Sequence, residues 1–383
     1  MNKPTTTQIF TRFLKLGLTA FGGPAMVPYI RRMAVEDERW ISEESFRLGM
    51  STIQVIPGAT AMQIAAYVGL RSRGGFGALA AYVGFGLPAF LLMLGLTFLY
   101  ATSQDIPAIA AAFSGLQLMV VALVLSAAID FSRQYLDSMP SKLLACTTGI
   151  WLGLKGNPIL ALVAACIISI FLFRNEQGRH VPNEHSKSQH PFRAAVIISS
   201  TFMAFLGLLW FFFPELGDLA LLMVKIDCFA FGGGYVSVPI MLHEVVEVRG
   251  WLSPQQFMDG IALGQVTPGP IVMTGAFVGY LMQGVVGAVV ATISVFTPSL
   301  IFVCAATPFA DKLSASPIAQ RALKGSLITL VGLMAAVAAR FGVAMDWGVI
   351  QALIALTAFI ALRLRIDIIK VVLVGSLISA FIL

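Results

Sequence analysis

The chain has 383 residues, of which 58% are hydrophobic and only 11% are charged, whereas soluble domains carry about 25% charged residues. So few charges cannot cover the surface of a soluble protein of 41.0 kDa, which excludes cytosolic enzymes and nucleic-acid readers. The net charge of +6 therefore fits the cytoplasmic loops of a membrane protein rather than a nucleic-acid partner.

Long unbroken apolar runs predict an all-α polytopic integral membrane protein, because membrane β-barrels show short alternating segments instead. Two of the runs, 143–154 and 157–173, are short for a bilayer core that needs about 20 helical residues. The predicted membrane segments are 9–30, 46–70, 75–101, 108–129, 143–154, 157–173, 194–213, 217–242, 256–281, 284–309, 318–339, 347–362 and 367–383.

An internal duplication organises the chain. The stretch K-L-G-L-T-A-F-G-G at 15–23 returns as K-I-D-C-F-A-F-G-G at 225–233, and the correspondence continues to the end of the sequence. It predicts two homologous halves of about six membrane segments each. The predicted parts are a first repeat at 9–173, a polar linker with one unpaired helix at 174–216, and a second repeat at 217–383.

The number of crossings predicts how the halves are related. Six segments plus one unpaired helix place an odd number of crossings between equivalent positions, so the second half should be inverted relative to the first. The inversion survives if each short pair is only a re-entrant hairpin. Threading all segments as spans puts most Lys and Arg residues on the side of the N-terminus, which predicts a cytoplasmic N-terminus.

Helix breakers recur at matching positions in both halves. Vicinal glycines and proline interrupt a helix, and broken helices at membrane depth occur only inside protein or along a water-filled cavity. Matching interruptions in two repeats point to a transporter substrate site, and half-helix N-termini there suit an anion. The alternative is that the glycines only allow close helix packing. The breaks contain Phe21, Gly22, Gly23, Pro24, Gln54, Pro57, Gly58, Phe231, Gly232, Gly233, Gly234, Gln265, Thr267, Pro268, Gly269 and Pro270.

Within these breaks, Gln54 and Gln265 are the expected side-chain hydrogen-bond donors to an oxyanion, and Thr267 adds a hydroxyl. Alanine at Gly233 should disturb the site, whereas alanine at Gly77, a repeat-matched glycine outside the breaks, should cost less. The repeat-matched glycine serves as a control for packing.

Two lysines occupy the same repeat position, Lys15 and Lys225. Charged residues inside the bilayer are functional by default, although a lysine near a span end can extend to the interface instead. Both are therefore candidate substrate ligands. Asp227 either neutralises Lys225 or takes part in proton coupling, and the first interpretation is favoured.

No metal site or cofactor is predicted. His180, His185 and His190 recur at intervals of five in the polar linker, but because no cluster of carboxylates or cysteines accompanies them, a solvated loop is favoured over a metal site. Arg31 and Arg32 could attract an anion, or could belong to an ion-paired loop with the acidic residues that follow them.

The ordered motifs resemble the chromate ion transporter family, in its long-chain two-domain form. They are F-G-G-P and F-G-G-G at the breaks, W-I-S and W-L-S in the following loops, and Q-x-x-P-G in both halves. The resemblance implies export of chromate from the cytoplasm across the bacterial inner membrane, driven by proton motive force and conferring chromate resistance. Ala59 stands where the second half has Pro270, so the halves should contribute unequally.

Several alternatives stay open at this point. Sulfate, molybdate or another oxyanion could be the substrate, and an anion channel could share the duplicated breaks. A membrane enzyme is disfavoured because neither a redox centre nor a nucleophile–base pair is visible. The expected partners are a chromate-like or sulfate-like oxyanion and the lipid bilayer, with no nucleic acid and a homodimer left open.

Overall fold

The computed structural model describes residues 3–19, 26–103, 106–174, 191–309 and 315–382, which are helical throughout apart from short connections and contain no strand. The first half consists of α1 (Thr6–Thr19), α2 (Val27–Arg31), α3 (Glu43–Val55), α4 (Thr60–Thr102), α5 (Pro107–Tyr135), α6 (Met139–Gly153) and α7 (Pro158–Leu172). The unpaired helix is α8 (Pro191–Phe212). The second half consists of α9 (Pro214–Cys228), α10 (Ser237–Met241), α11 (Pro254–Val266), α12 (Thr274–Ala306), α13 (Pro317–Val343), α14 (Val349–Arg363) and α15 (Ile368–Ile382).

Backbone conformation confirms the two homologous halves. Gly58 and Gly269, which the sequence pairs, have φ angles of 127° and 125°. Lys155 and Arg365, each between the two short helices of its half, have φ angles of 62° and 61°. Short π-helical turns, Arg32–Asp37 and Leu242–Val248, follow α2 and α10 at equivalent places. The predicted duplication therefore extends to single residues.

The first predicted segment of each half does not cross the membrane, contrary to expectation. Helix α1 enters the protein, and the chain then returns to the side from which it came. The evidence is an ion pair of 2.6 Å between Glu38 and Arg12, which lies near the beginning of α1. In the second half Arg249 reaches back to Asp218 at 3.3 Å. Segment 217–242 is thus a re-entrant hairpin, and the described parts of segment 9–30, residues 9–19 and 26–30, lie on the two sides of an equivalent reversal. An apolar run interrupted by glycines can reverse direction without any change in hydropathy.

The second predicted segment of each half also turns back. The Tyr67 hydroxyl in α4 donates to the Ser45 carbonyl at the start of α3 at 2.9 Å, so these helices are antiparallel. The chain then reverses again at Arg73–Gly74, where φ and ψ leave the helical region inside α4. Gly69 and Gly77 bring the backbones on the two sides of this bend into contact. The same bend divides α12 at Gln283–Gly284.

Five helices in the described ranges are long and apolar enough to cross a membrane: α4, α5, α8, α12 and α13. The short pairs form hairpins that pack on the opposite half, α6 and α7 on α13, and α14 and α15 on α5. Equivalent contacts repeat this exchange, since Gly325 meets Ser169 and Gly115 meets Ser379. Each half therefore contributes to the core of the other.

The unpaired helix α8 shows the predicted inversion. Gly75, just after the bend in α4, lies against Ala194 at the start of α8. Gln283, at the equivalent bend in α12, donates to Glu215, which directly follows the other end of α8. A helix of 22 residues is about 33 Å long. The two equivalent bends therefore lie on opposite sides of the molecule, and the halves form an inverted repeat.

The re-entrant hairpins change the side on which some basic residues lie. The loop carrying Arg31, Arg32 and Arg39 lies on the side of the N-terminus, because Glu38 is paired with Arg12. Arg249 lies on the opposite side, close to the start of α9. The first change adds to the predicted excess of positive charge on the side of the N-terminus and outweighs the second, which removes Arg249 from that side.

The reversal can be tested with two repeat-equivalent exposed positions, Asp37 and Val248. Asp37→Cys and Val248→Cys should react with a membrane-impermeant maleimide from opposite sides, in a variant whose native cysteines are serine. Asp37→Cys should be labelled from the side of the N-terminus. Labelling of Asp37→Cys from the side opposite the N-terminus would restore segment 9–30 as a span and contradict the hairpins.

Candidate functional site

The Pro-Gly turns of both halves lie halfway across the molecule. Beyond its bend α4 runs from about residue 75 to Thr102, which places Ala89 at the middle of the crossing. Gly269 contacts Ala89, and Gly58 contacts Ser299, the equivalent residue of α12. The Pro-Gly turns of the two halves thus meet near the centre of the helical bundle.

The second helix break joins the turn of the first half. Helix α9 ends at Cys228, and the chain becomes helical again at Gly234. Between them the Ala230 carbonyl accepts a hydrogen bond of 3.0 Å from the Gly58 N–H. Gly232 and Gly233 have φ angles of 92° and 108°, which side chains rarely tolerate. This backbone path requires glycine.

Three helical runs begin around this break. They start after Ala59, after Gly233 and after Pro270, and none of these residues caps its helix with a side chain. The first N–H groups of a helix lack intrahelical acceptors and carry partial positive charge. Gly233 is in van der Waals reach of Thr60, and Gly234 of Ile271. Converging N-termini of this kind favour an anion.

The structure brings part of the predicted site together. Gln265 lies close to the hydroxyl of Tyr235, directly after the glycine break, and Tyr235 packs on Phe131 of α5. Thr267, by contrast, donates its hydroxyl to the Gly264 carbonyl at 3.1 Å, and the Gln54 side chain is exposed. The buried residues of the two turns are Pro57, Gly58, Ala59, Thr267, Pro268 and Pro270.

The first break lies outside the described residues. Phe21, Gly22, Gly23 and Pro24 belong to it, as do their neighbours at 20 and 25. The linker histidines His180, His185 and His190 also fall outside the described ranges.

Lys225 pairs with a residue that the sequence did not indicate. Its ammonium group lies 2.5 Å from Glu244, which is 4% exposed and also bonds Arg249. The interpretation that Asp227 neutralises Lys225 is therefore wrong, because the π-helical turn that follows α10 brings Glu244 to Lys225. Lys15, the repeat equivalent, is exposed on α1.

Asp227 is instead held by α12. It is fully buried, and its carboxylate accepts from the Ser299 N–H at 2.7 Å and from the Ser299 hydroxyl at 2.6 Å. The repeat equivalents are Gly17 and Ala89, neither of which can form such a bond. The centre is therefore polar on one side of the pseudo-symmetry only.

Sequence analysis missed Thr60, Gln63 and Ser299 at this centre. Gln63 is fully buried, and its Nε2 donates to the Pro57 carbonyl at 2.5 Å, while Oε1 has no partner within the described chain. The available signal was a polar residue shortly after a Pro-Gly motif or a helix proline, since Thr60 and Gln63 follow Gly58 and Ser299 directly follows Pro298. Polar residues at such positions are costly in a membrane unless they are used.

An apolar cavity of about 470 Å³ reaches the second break. Its wall includes Phe229 and Phe231 from the break, Val55 from the end of α3, and Leu323 from the start of α13. Arg321, close to that start, donates to the Arg174 carbonyl at the end of α7. The cavity therefore brings open space to the second break.

The basic loop before α3 is ion-paired rather than free to hold an anion. Arg31 contacts Glu36 at 2.7 Å and Glu43 at 2.8 Å. Hydrogen bonding by Arg31 holds the pKa of Glu43 below its ordinary value. Of the two interpretations of Arg31, the structure supports the ion-paired loop.

Inverted halves with half-helices that meet at mid-depth are the architecture of membrane transporters. The chain belongs to the chromate transporter family, whose sequence pattern matches residues 7–170 and again 217–380.

Among its relatives, an uncharacterized transporter of Methanocaldococcus jannaschii is 38% identical over 100% of this chain and 96% of its own length. A chromate transport protein of Pseudomonas aeruginosa is 32% identical over 86% of this chain and 79% of its own length. A chromate transport protein of Cupriavidus metallidurans is 28% identical over 86% and 80%. No solved structure matches the chain.

The glycine at the central contact provides a stability test. A methyl group at Gly58 would collide with the Ser299 hydroxyl, and its φ of 127° is unfavourable for alanine. Gly58→Ala should lower the free energy of unfolding by about 2–4 kcal/mol. Gly74→Ala has open space and should cost about 1 kcal/mol. Thermal unfolding of both purified variants in detergent measures the difference, and equal midpoints would contradict the central contact.

Gly77 is not the mild control that the sequence suggested. A methyl group there would overlap the carbonyl oxygen of Gly69, across the bend of α4. Gly284 is the better control for a glycine with positive φ, because its φ is 58° and nothing lies near the added atom.

Proposed function

We propose that this protein is a secondary active transporter that exports chromate, a tetrahedral divalent oxyanion, from the cytoplasm. The observation that carries the proposal is the convergence of three uncapped helix N-termini at mid-depth, beside Gly58, Gly233 and Pro270. Relatives that are named chromate transport proteins support chromate as the first substrate to test.

The proposed binding mode uses neutral donors. The N–H groups of Thr60, Gly234 and Tyr235 are the first of their helical runs, and we expect them to face the oxyanion. The Thr60 hydroxyl and the Gln265 amide would add side-chain donors. A site made mainly of neutral donors binds weakly enough to release its ion. The glycine-containing breaks of both halves form the core of this proposed site.

The lysines and Asp227 complete the proposal. Lys225 is 39% exposed despite its pairing with Glu244, so it would attract the anion near one mouth of the pathway, with Lys15 as its counterpart in the first half. Asp227 is a candidate coupling group, because within the described chain its buried carboxylate is held by Ser299 alone. Exchange of a proton at Asp227 would link transport to the proton gradient.

Orientation follows from charge. Lys and Arg residues gather on the side of the N-terminus, including Arg31, Arg39 and Arg73, and such residues favour the cytoplasmic side. We therefore place the N-terminus in the cytoplasm and the protein in the bacterial inner membrane. Export in this orientation would confer chromate resistance on the cell.

Counterflow in liposomes tests the proposed function. Purified protein in liposomes loaded with unlabelled chromate should accumulate labelled external chromate transiently, because a carrier exchanges ions one for one. Sulfate and molybdate inside the liposomes, tested separately, identify the substrate that supports exchange. Flux that follows the ion gradient without counterflow would indicate a channel, and no flux of any oxyanion would contradict the proposal.

The glycine break offers a matched pair of variants. Gly233→Ala places a methyl group near Thr60 and changes a backbone with φ of 108°, so counterflow should be lost by tenfold or more, about 1.4 kcal/mol. Gly284→Ala, at an open bend, should retain counterflow at a similar protein level. Equal transport in the two variants would remove Gly233 from the proposed site.

A further inference from the structure

A second buried carboxylate, Asp259, lies in α11 away from the proposed oxyanion site. It is 4% exposed. The Tyr100 hydroxyl at the end of α4 donates to its Oδ2 at 3.0 Å, and the Gln117 Nε2 in α5 donates to its Oδ1 at 2.9 Å. Both donors belong to the first half, so Asp259 fastens the second half to the first.

Aromatic rings surround one of the two donors. Tyr100 is enclosed by the rings of Phe113 at 4.8 Å and Phe277 at 5.2 Å. The repeat equivalent of Asp259 is Leu48, so folding of this repeat does not require a polar residue there. A buried carboxylate without a cation is costly, and a costly residue inside the membrane is functional by default.

The charged groups on the π-helical turn that precedes α11 are engaged with one another and with α9 and α13. In the π-helical turn Leu242–Val248, Glu244 pairs with Lys225 and Arg249, and His243 pairs with Glu247, which also binds Arg340 of α13. Tyr280 is the titratable residue in α12 before its bend, and Lys370 lies at the exposed start of α15. No cation in the described chain forms an ion pair with Asp259.

We propose that Asp259 is a proton-binding site that couples the contact between the two halves to pH. When a proton adds to Oδ2, the carboxyl group becomes a donor and the Tyr100 hydroxyl must accept instead of donate. The direction of the hydrogen bond between the halves is then reversed, with Asp259 as the donor and Tyr100 as the acceptor. Loss of the proton restores the present arrangement. This inference rests on the proposed transport function for its role in coupling, but proton binding itself does not.

The position of the group suits this role. Asp259 lies about a turn and a half from the start of α11, on the side opposite the N-terminus, whereas Asp227 lies at the centre. Alternating access requires one repeat to move against the other, and the contacts of Asp259 connect α11 to both α4 and α5. A proton entering from that side would therefore reach a group that joins the moving parts.

Infrared difference spectroscopy tests proton binding without any transported ion. Wild-type protein in lipid should show a protonated-carboxyl band that titrates with pH, and Asp259→Asn should remove one component of it. Asp346→Asn, at an exposed aspartate on the same side, should leave that component in place. An unchanged carboxyl band in Asp259→Asn would overturn the proposal, whatever the protein transports.

Transport then separates coupling from anion binding. Asp259→Asn should lose the acceleration of oxyanion flux by a pH gradient while it retains counterflow at equal pH. Asp259→Glu, which keeps a titratable group, should retain gradient-driven flux with a shifted pH profile and guards against misfolding of the Asn variant. Gradient-driven flux at the wild-type level in Asp259→Asn, or loss of counterflow in a folded variant, would overturn the proposal. Failure of wild-type counterflow would instead count against the proposed function.

Discussion

A helix that stops halfway across a membrane leaves backbone N–H and C=O groups that lipid cannot satisfy. The rest of this structure depends on how those groups are matched. The hydrogen bond from Gly58 to the Ala230 carbonyl joins a turn of one half to the break of the other. Neither half could bury its broken helices alone. The exchange of short hairpins between halves, with Ser169 against Gly325, follows the same requirement.

The duplication gives the centre its symmetric arrangement of turns, whereas residues that differ between the halves give it its polar groups. Equivalent turns place Gly58 against Ser299 and Gly269 against Ala89, so both halves bring a Pro-Gly motif to the middle of a crossing helix. Of these two equivalent residues on the crossing helices, Ser299 forms a hydrogen bond with the buried Asp227, whereas Ala89 has no side-chain donor. A symmetric scaffold with an asymmetric polar centre can hold one ion in a defined place while its two sides remain free to open differently.

The sequence was sufficient to predict the duplication, the inversion and the breaks, because glycine and proline have the same backbone consequence wherever they occur. It was insufficient for the path of the chain. Apolar composition is the same before and after the first break of each half, so the return of the chain beside Arg12 was invisible. The pairing of Lys225 with Glu244 depends on that return. Asp259 was missed because its partners lie more than a hundred residues away.

The central claim is that helix N-termini at the meeting of the breaks hold the oxyanion. The most direct measurement is a cryo-electron microscopy map of the protein in lipid nanodiscs with and without chromate. The account predicts additional density between Gly234, Thr60 and Ile271, within hydrogen-bond distance of the first N–H groups of their helices. Density bound instead to Lys225 and Arg249 at the surface, with the centre unchanged, would contradict it.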